Sequence, residues 1–260
     1  MANFQVDKRE LKGGTAAYIG IQTNSQNSVT RTQLLELQSI VEELDADSSI
    51  RGIVLHSENE KFFCNGVDAA NIAQTPKENL MDEMGEIVKF FVFLTKIYKP
   101  MITQIGGYAM GGGAVMALAC DYRYMLQGKA RISFTEVFFG LPLPGVFIDK
   151  IKETVPPQYA ADLIYGGAYK AQEAKEIGFI DGVSENASDL ESTVHKKMEA
   201  IFRIPTSAFA KTKESRNIIL LQNEKEHMQA MAKNFENPVI QANLYEAMQA
   251  FVEKRKPNFQ

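Results

Sequence analysis

Apolar residues near the start of the chain fall into two short strand-like runs, Phe4 to Val6 and Ala16 to Ile21. Leu34, Leu35, Leu37, Ile40, Val41 and Leu44 then recur at helical spacing and predict a helix over Thr30 to Leu44 with one buried face. The β-branched run from Gly52 to Leu55 predicts a buried strand, and strand, helix and strand in that order predict a parallel crossover unit. A second helix is expected from Glu83 to Leu94. Lys99-Pro100 breaks the pattern, and Met101 to Ile105 reads as another buried strand. After a glycine cluster come an apolar helix, Ala114 to Ala119, and a strand, Tyr122 to Leu126. Beyond that the pattern turns helical: Gln158 to Tyr165, Ala171 to Ile177, Asp189 to Ile201, Ser207 to Leu221, and Lys225 to Phe251. The expectation is an α/β core over residues 1–204 and a helical region over 205–260, with the seam at Pro205 and Thr206.

Composition narrows the class of function. The chain has 260 residues, 45% hydrophobic and 23% charged, enough for one large core. Its net charge of −4 offers no field to attract nucleic acid or an anionic membrane, so neither partner is expected. No apolar stretch reaches membrane-spanning length, and the N-terminus has neither a signal core nor a transit pattern; a cytoplasmic protein is expected. Cys64 and Cys120 have no Cys or His at metal-ligand spacing. They read as two reduced, packed thiols, and no metal is expected.

Three segments carry candidate chemistry. Gly106-Gly107-Tyr108-Ala109-Met110-Gly111-Gly112-Gly113 joins an apolar strand to an apolar helix. Glycines there let the backbone turn sharply and leave helix-start N–H groups free for an oxyanion or a phosphate, although a turn that merely packs helix on strand would look the same. No Lys-Ser/Thr follows them, so this is not a P-loop. Phe62-Phe63-Cys64-Asn65-Gly66-Val67-Asp68 could present another backbone N–H, or be an ordinary loop. Ser133-Phe134-Thr135-Glu136 fits a capping box; its other reading is a carboxylate lodged among phenylalanines, where desolvation would raise its pKa toward that of a general base.

All three segments occur in order, and together they resemble the crotonase (enoyl-CoA hydratase/isomerase) family. Asn27-Ser28-Val29, Ala171-Gln172-Glu173-Ala174, Gly178-Phe179-Ile180-Asp181 and the C-terminal Ala250 to Pro257 extend the resemblance over nearly the whole chain. It implies an α/β core of repeated ββα units in a spiral, with a helical C-terminal trimerisation region. It implies that Val67 and Gly112 donate N–H groups to the thioester oxygen of an acyl-CoA. By position it also implies that Asn27, Gly66, Asp68, Ala69, Ala70 and Gly111 surround the substrate. Lys254 would approach the 3′-phosphate of coenzyme A from a neighbouring subunit, against the alternative of a solvated basic tail.

Hydratases of the family look like two-carboxylate enzymes, and here the first of those positions is Val115 while the second is Glu136. The second acid that dienoyl-CoA isomerases look to need falls on Pro144. A lone glutamate resembles the Δ3-Δ2-enoyl-CoA isomerases, in which one carboxylate takes a C2 proton and returns it at C4. The alternatives are a hydratase or another acyl-CoA or acyl-carrier-protein lyase, and a catalytically silent binding module, which Val115 motivates. The resemblance implies no cofactor beyond the thioester substrate, carried on coenzyme A or a carrier protein, and a homotrimer or homohexamer. Asp121 is expected to be a structural hydrogen-bonding partner. His56, His195 and His227 are expected in surface or packing roles, and Met228, Met231 and Phe235 in the core or a subunit interface.

Overall fold

The computed structural model describes residues 2–260. Among the described residues the strands are β1 (Phe4–Leu11), β2 (Gly14–Ile21), β3 (Ile50–Ser57), β4 (Phe62–Cys64), β5 (Met101–Ile105), β6 (Tyr108–Met110), β7 (Tyr122–Leu126), β8 (Ile132–Ser133) and β9 (Gly182–Ser184). The first helices are α1 (Arg31–Ala46), α2 (Ala69–Gln74), α3 (Leu80–Lys96), α4 (Gly112–Ala119), α5 (Gly145–Thr154) and α6 (Pro157–Ile164). They continue with α7 (Ala171–Glu176), α8 (Ala187–Ile201), α9 (Thr206–Arg216), α10 (Ile218–Gln222), α11 (Glu224–Phe235) and α12 (Pro238–Glu253).

The larger sheet runs β1-β2-β3-β5-β7-β9, with β1 and β2 an antiparallel hairpin and every later pairing parallel. The smaller sheet, β4-β6-β8, is parallel throughout. Successive units therefore give one strand to each sheet and then a helix: β3, β4 and α2–α3; β5, β6 and α4; β7, β8 and α5–α7. This is the repeated ββα spiral that the resemblance implied.

Side chains of the central strands alternate between two apolar layers, as a two-residue period requires. Ala17, Ile19, Ile21, Ile53 and Leu55 face the main core, which α1, α3 and α4 help to fill. Ala16, Tyr18 and Val54 face Leu190, Val194, Met198 and Ile201 of α8. Burial on both faces explains why Gly52 to Leu55 reads as a continuous apolar run. The start of α1 is fixed by Thr30 and Gln33, whose side chains each accept from the other's backbone N–H, a complete capping box.

The expected helix from Ser207 to Leu221 is two helices broken at Asn217. That side chain is fully buried, donating to Thr95 O at 2.9 Å and accepting from Lys150 Nζ at 3.1 Å. The expected helix from Lys225 to Phe251 likewise ends at Phe235 and restarts at Pro238, with Asn237 capping the new start. Leu220, Met231, Phe235, Leu244 and Met248 belong to the same main core as the strands, so the C-terminal helices are built into the body of the fold. Asp121 ties them down: its carboxylate accepts from Lys213 Nζ at 2.9 Å, Arg216 at 2.6 Å and Met101 N at 2.9 Å. Burial alone would push the Asp121 carboxyl up, but Lys213 and Arg216 outweigh it and hold it below the ordinary aspartate range.

Candidate active site

The smaller sheet organises the site, because each of its strands runs into a candidate residue at its C-terminal end. β4 ends at Cys64, just before Val67; β6 ends at Met110, just before Gly112; β8 ends at Ser133, just before Glu136. Side-by-side parallel strands point their carboxyl ends the same way, so the three residues converge on one cavity, which all three line.

Val67 forms a parallel bridge with Val29, in which Val29 N donates to Gly66 O and Asp68 N donates to Val29 O, both at 2.9 Å. That pattern uses the groups flanking Val67 and turns its own N–H the other way. Asp68 caps α2, accepting from Asn71 N at 2.9 Å and from Ser28 Oγ at 2.9 Å, which fixes the loop that carries Val67.

Gly112 opens α4, where the first-turn N–H groups have no partner within the helix. The preceding Gly111 has φ 50 and ψ −118, a left-handed conformation that a side chain would strain, and its N–H donates to Ser133 O at 2.9 Å. A β-carbon built on Gly66 would stand 3.0 Å from Gly112 N, so the two donor segments are in direct contact.

Glu136 begins a short 3-10 turn, Glu136–Phe139, and not a capped α-helix. The capping-box reading is corrected here: Ser133 Oγ donates to Gly166 O at 3.0 Å, and no side chain caps the turn. The Glu136 residue as a whole is partly exposed, but its Oε2 is sealed from solvent and has no hydrogen-bond partner. Desolvation pushes its carboxyl up to about 7, against a smaller opposing pull from its own backbone N–H. A carboxyl group poised near neutrality, in a cavity that Val67 and Gly112 also line, is suited to moving a proton.

Most of the remaining wall is apolar, formed by Met84, Ile87 and Val88 of α3, Leu143, Phe147 of α5, and Met231 and Phe235 of α11. Met231 and Phe235, expected in core or interface, are buried and also line the cavity. Glu136 is the only acidic residue lining it among the described residues. Val115 is fully buried in α4 and is not part of the lining.

The other residues expected near the substrate are not in this lining. Asn27, at 1% exposure, spends its amide on Ile21 O at 3.0 Å and Ser57 Oγ at 2.7 Å, so it braces the loop instead of reaching the cavity. Ala69 and Ala70 begin α2 outside the lining, and Gly66 and Gly111 shape the backbone on either side of the donors. Lys254 caps α12 in a left-handed conformation, φ 57, with its side chain exposed and away from the cavity lining.

Sequence reading missed one constellation. His227, expected in a surface or packing role, lines the cavity, with Nε2 2.8 Å from Asp149 Oδ2. No local signal could have found it, because the partners sit on α5 and α11. His56 and His195 keep packing roles, each edge-on to Tyr18. Both cysteines are buried and free, and burial pushes the Cys64 thiol up to about 12 and that of Cys120 up to about 11. No helix among the described residues is long and apolar enough to cross a membrane.

Comparison with known proteins gives the family. Residues 12–260 match the family model described as enoyl-CoA hydratase/isomerase. The chain is 28% identical over 238 residues to the putative enoyl-CoA hydratase/isomerase YngF of Bacillus subtilis (strain 168), covering 88% of each chain. It is 27% identical over 266 residues to the mitochondrial enoyl-CoA hydratase of Pongo abelii, covering 99% of this chain and 89% of that one. The crystal structure of human mitochondrial delta3-delta2-enoyl-CoA isomerase superposes with a TM-score of 0.87 at 21% identity, over 97% of this chain and 98% of that one. That last likeness speaks for the fold. With a match over nearly its full length, the chain belongs to the enoyl-CoA hydratase/isomerase family.

Proposed function

We propose that this chain is a Δ3-Δ2-enoyl-CoA isomerase. The reading rests on one observation: among the described residues Glu136, with its unpaired and sealed Oε2, is the only acidic group lining a cavity shared with Val67 and Gly112. In this mechanism the thioester oxygen accepts from the Val67 and Gly112 N–H groups. The Glu136 carboxylate removes a C2 proton, the electrons move into the carbonyl as an enolate, and the protonated Glu136 delivers the proton to C4. The double bond moves from C3–C4 to C2–C3, with no net gain or loss of atoms. Backbone donors of this kind are worth about 3 kcal/mol each in the transition state. They are fixed before reaction and need no reorganisation.

Hydration would require a second polar group to hold and split water, and the position that carries it in family hydratases is the buried Val115. Glu136→Gln keeps the shape of the side chain and removes its basicity. It is expected to lower conversion of a 3-enoyl-CoA to the conjugated 2-enoyl form by about 100- to 10,000-fold while leaving binding of the thioester intact. The absorbance of the conjugated product reports the rate, and full turnover by the variant would defeat the reading. Loss of that absorbance from crotonyl-CoA, faster than isomerisation, would favour the hydratase instead.

A further inference from the structure

Pairing within the smaller sheet does not join Val67 to Glu136 directly. In the order β4-β6-β8 the strands that lead to them are the two edges, each paired to β6 and not to each other. Neighbouring strands lie about 4.8 Å apart, so the edges are about 10 Å from one another. Val67 and Glu136 also stand three residues beyond the last residues of their strands, Cys64 and Ser133, where that ladder has ended. Behind Val67 comes α2, capped by Asp68, and Glu136 itself opens the turn to Phe139.

α12 packs against both of these elements. Toward α2, Tyr245 Oη donates to Thr75 O at 2.6 Å. Thr75 closes α2: its N–H donates to Ile72 O at 3.1 Å and its Oγ1 to Asn71 O at 2.9 Å. The tyrosine hydroxyl therefore grips a carbonyl that is itself fixed to the helix behind Val67. Toward the turn, a β-carbon on Gly140 would stand 2.6 Å from the Asn243 β-carbon, and the Phe139 and Phe251 rings lie 5.9 Å apart. Gly140 ends the turn at φ 71, and the N–H of Leu141 beside it donates to Glu136 O at 3.1 Å. Asn243 thus presses on the residues that tie off the Glu136 backbone. Asn243 and Tyr245 are two residues apart on one helix, about 200° around its axis, so α12 turns nearly opposite sides to the acid and to α2.

We propose that α12 is a brace that sets the gap between the Val67 N–H and the Glu136 carboxyl, with Tyr245 as a positioning residue for proton transfer. This deepens the proposed function and rests on its assignment of those two groups. Tyr245 is not in the cavity lining, so it acts through α2 and the Val67 loop and not by touching the acyl group. Misplacing a reacting group by about 1 Å can cost about 100-fold in rate, whereas contact of an acyl chain with an apolar wall tolerates such a shift.

Tyr245→Phe keeps the ring and removes the one donor. It is expected to lower kcat for a 3-enoyl-CoA about 10-fold with KM held within about twofold, since only the reacting geometry is disturbed. Gly140→Ala pushes the turn from the other side and is expected to lower kcat about 100-fold with the same steady KM. Adding Asn243→Gly removes the atom that the new methyl group strikes and is expected to recover about 10-fold of that loss. Hydrogen exchange reads the brace without turnover: in Tyr245→Phe the amides of α2 and those of Gly140 and Leu141 are expected to exchange faster together.

An unchanged kcat in Tyr245→Phe, a rise in KM alone, or faster exchange confined to α2 overturns the inference. So does a loss in Gly140→Ala that Asn243→Gly leaves untouched. If the parent protein does not convert a 3-enoyl-CoA, the proposed function falls and takes the inference with it. If the parent isomerises and the variants match it, only the inference falls.

Discussion

Glu136 has one carboxylate oxygen with no donor, and the proton balance of folding follows from that. The folded chain holds the Glu136 proton up to about 7, whereas the ordinary value for a glutamate is 4.5. Between those values the native state binds more protons than the unfolded chain, so stability falls as pH rises. The contribution is full below the unfolded value and lost once pH passes through the folded one. Glu136→Gln carries no charge to bury. At about pH 8 it is expected to be more stable than the parent by roughly 3 kcal/mol, and near pH 4 the two should unfold alike. Urea melts at the two pH values measure this, and identical midpoints at both would mean that the carboxylate is hydrated. The same desolvation that weakens the fold suits the side chain to take and return a proton near neutrality.

Among the elements, α9 depends on a single buried anion. Lys213 and Asp121 have side-chain exposures of 3% and 1%, so removing the carboxylate strands an ammonium group in the interior. Asp121→Ala is expected to cost about 3–5 kcal/mol, read from denaturant unfolding, and to speed amide exchange in α9 first. A loss under about 1 kcal/mol would mean that Lys213 finds water instead. The elements also divide sharply in how far the residues betray them. Met101–Ile105 and Tyr122–Leu126 are strands where the apolar runs put them, because burial on both faces leaves a continuous signature. β4, β6 and β8 escaped notice: with two or three residues each they are too short to show any period, yet they position the site. The helix break before Pro238 was legible in principle, since Asn-Pro is a helix-start signal. The break at Asn217 was not, because its cause is a side chain paired with the distant Thr95 and Lys150. Val67 and Gly112 were named by position through the family resemblance and Glu136 through its own segment, and the three line one cavity, whereas Asp149 and His227 meet only across folded helices.

At the scale of the whole molecule, the cavity is closed by the end of the chain. Met231, Phe235 and Ile240 supply wall that the first two hundred or so residues lack. A fragment of residues 2–204 is therefore expected to lose cooperative thermal unfolding, followed by circular dichroism; a sharp transition in the fragment would make the helical region a separate domain. The intact chain also leaves Phe138 58% and Tyr165 71% exposed, together with Ile219 at 64%. Large apolar side chains left open in this way suit contacts between copies, and sedimentation velocity is expected to show an assembly of three or six chains. A single-chain sedimentation coefficient would count against it. The smaller sheet has one more consequence. Its strand ends hold the two amides and the acid in separate slots, so the acid can be exchanged without disturbing the amides. Swapping that one residue would then redirect or silence the chemistry while preserving the grip on the thioester, and a lineage built on this frame could change reactions one substitution at a time.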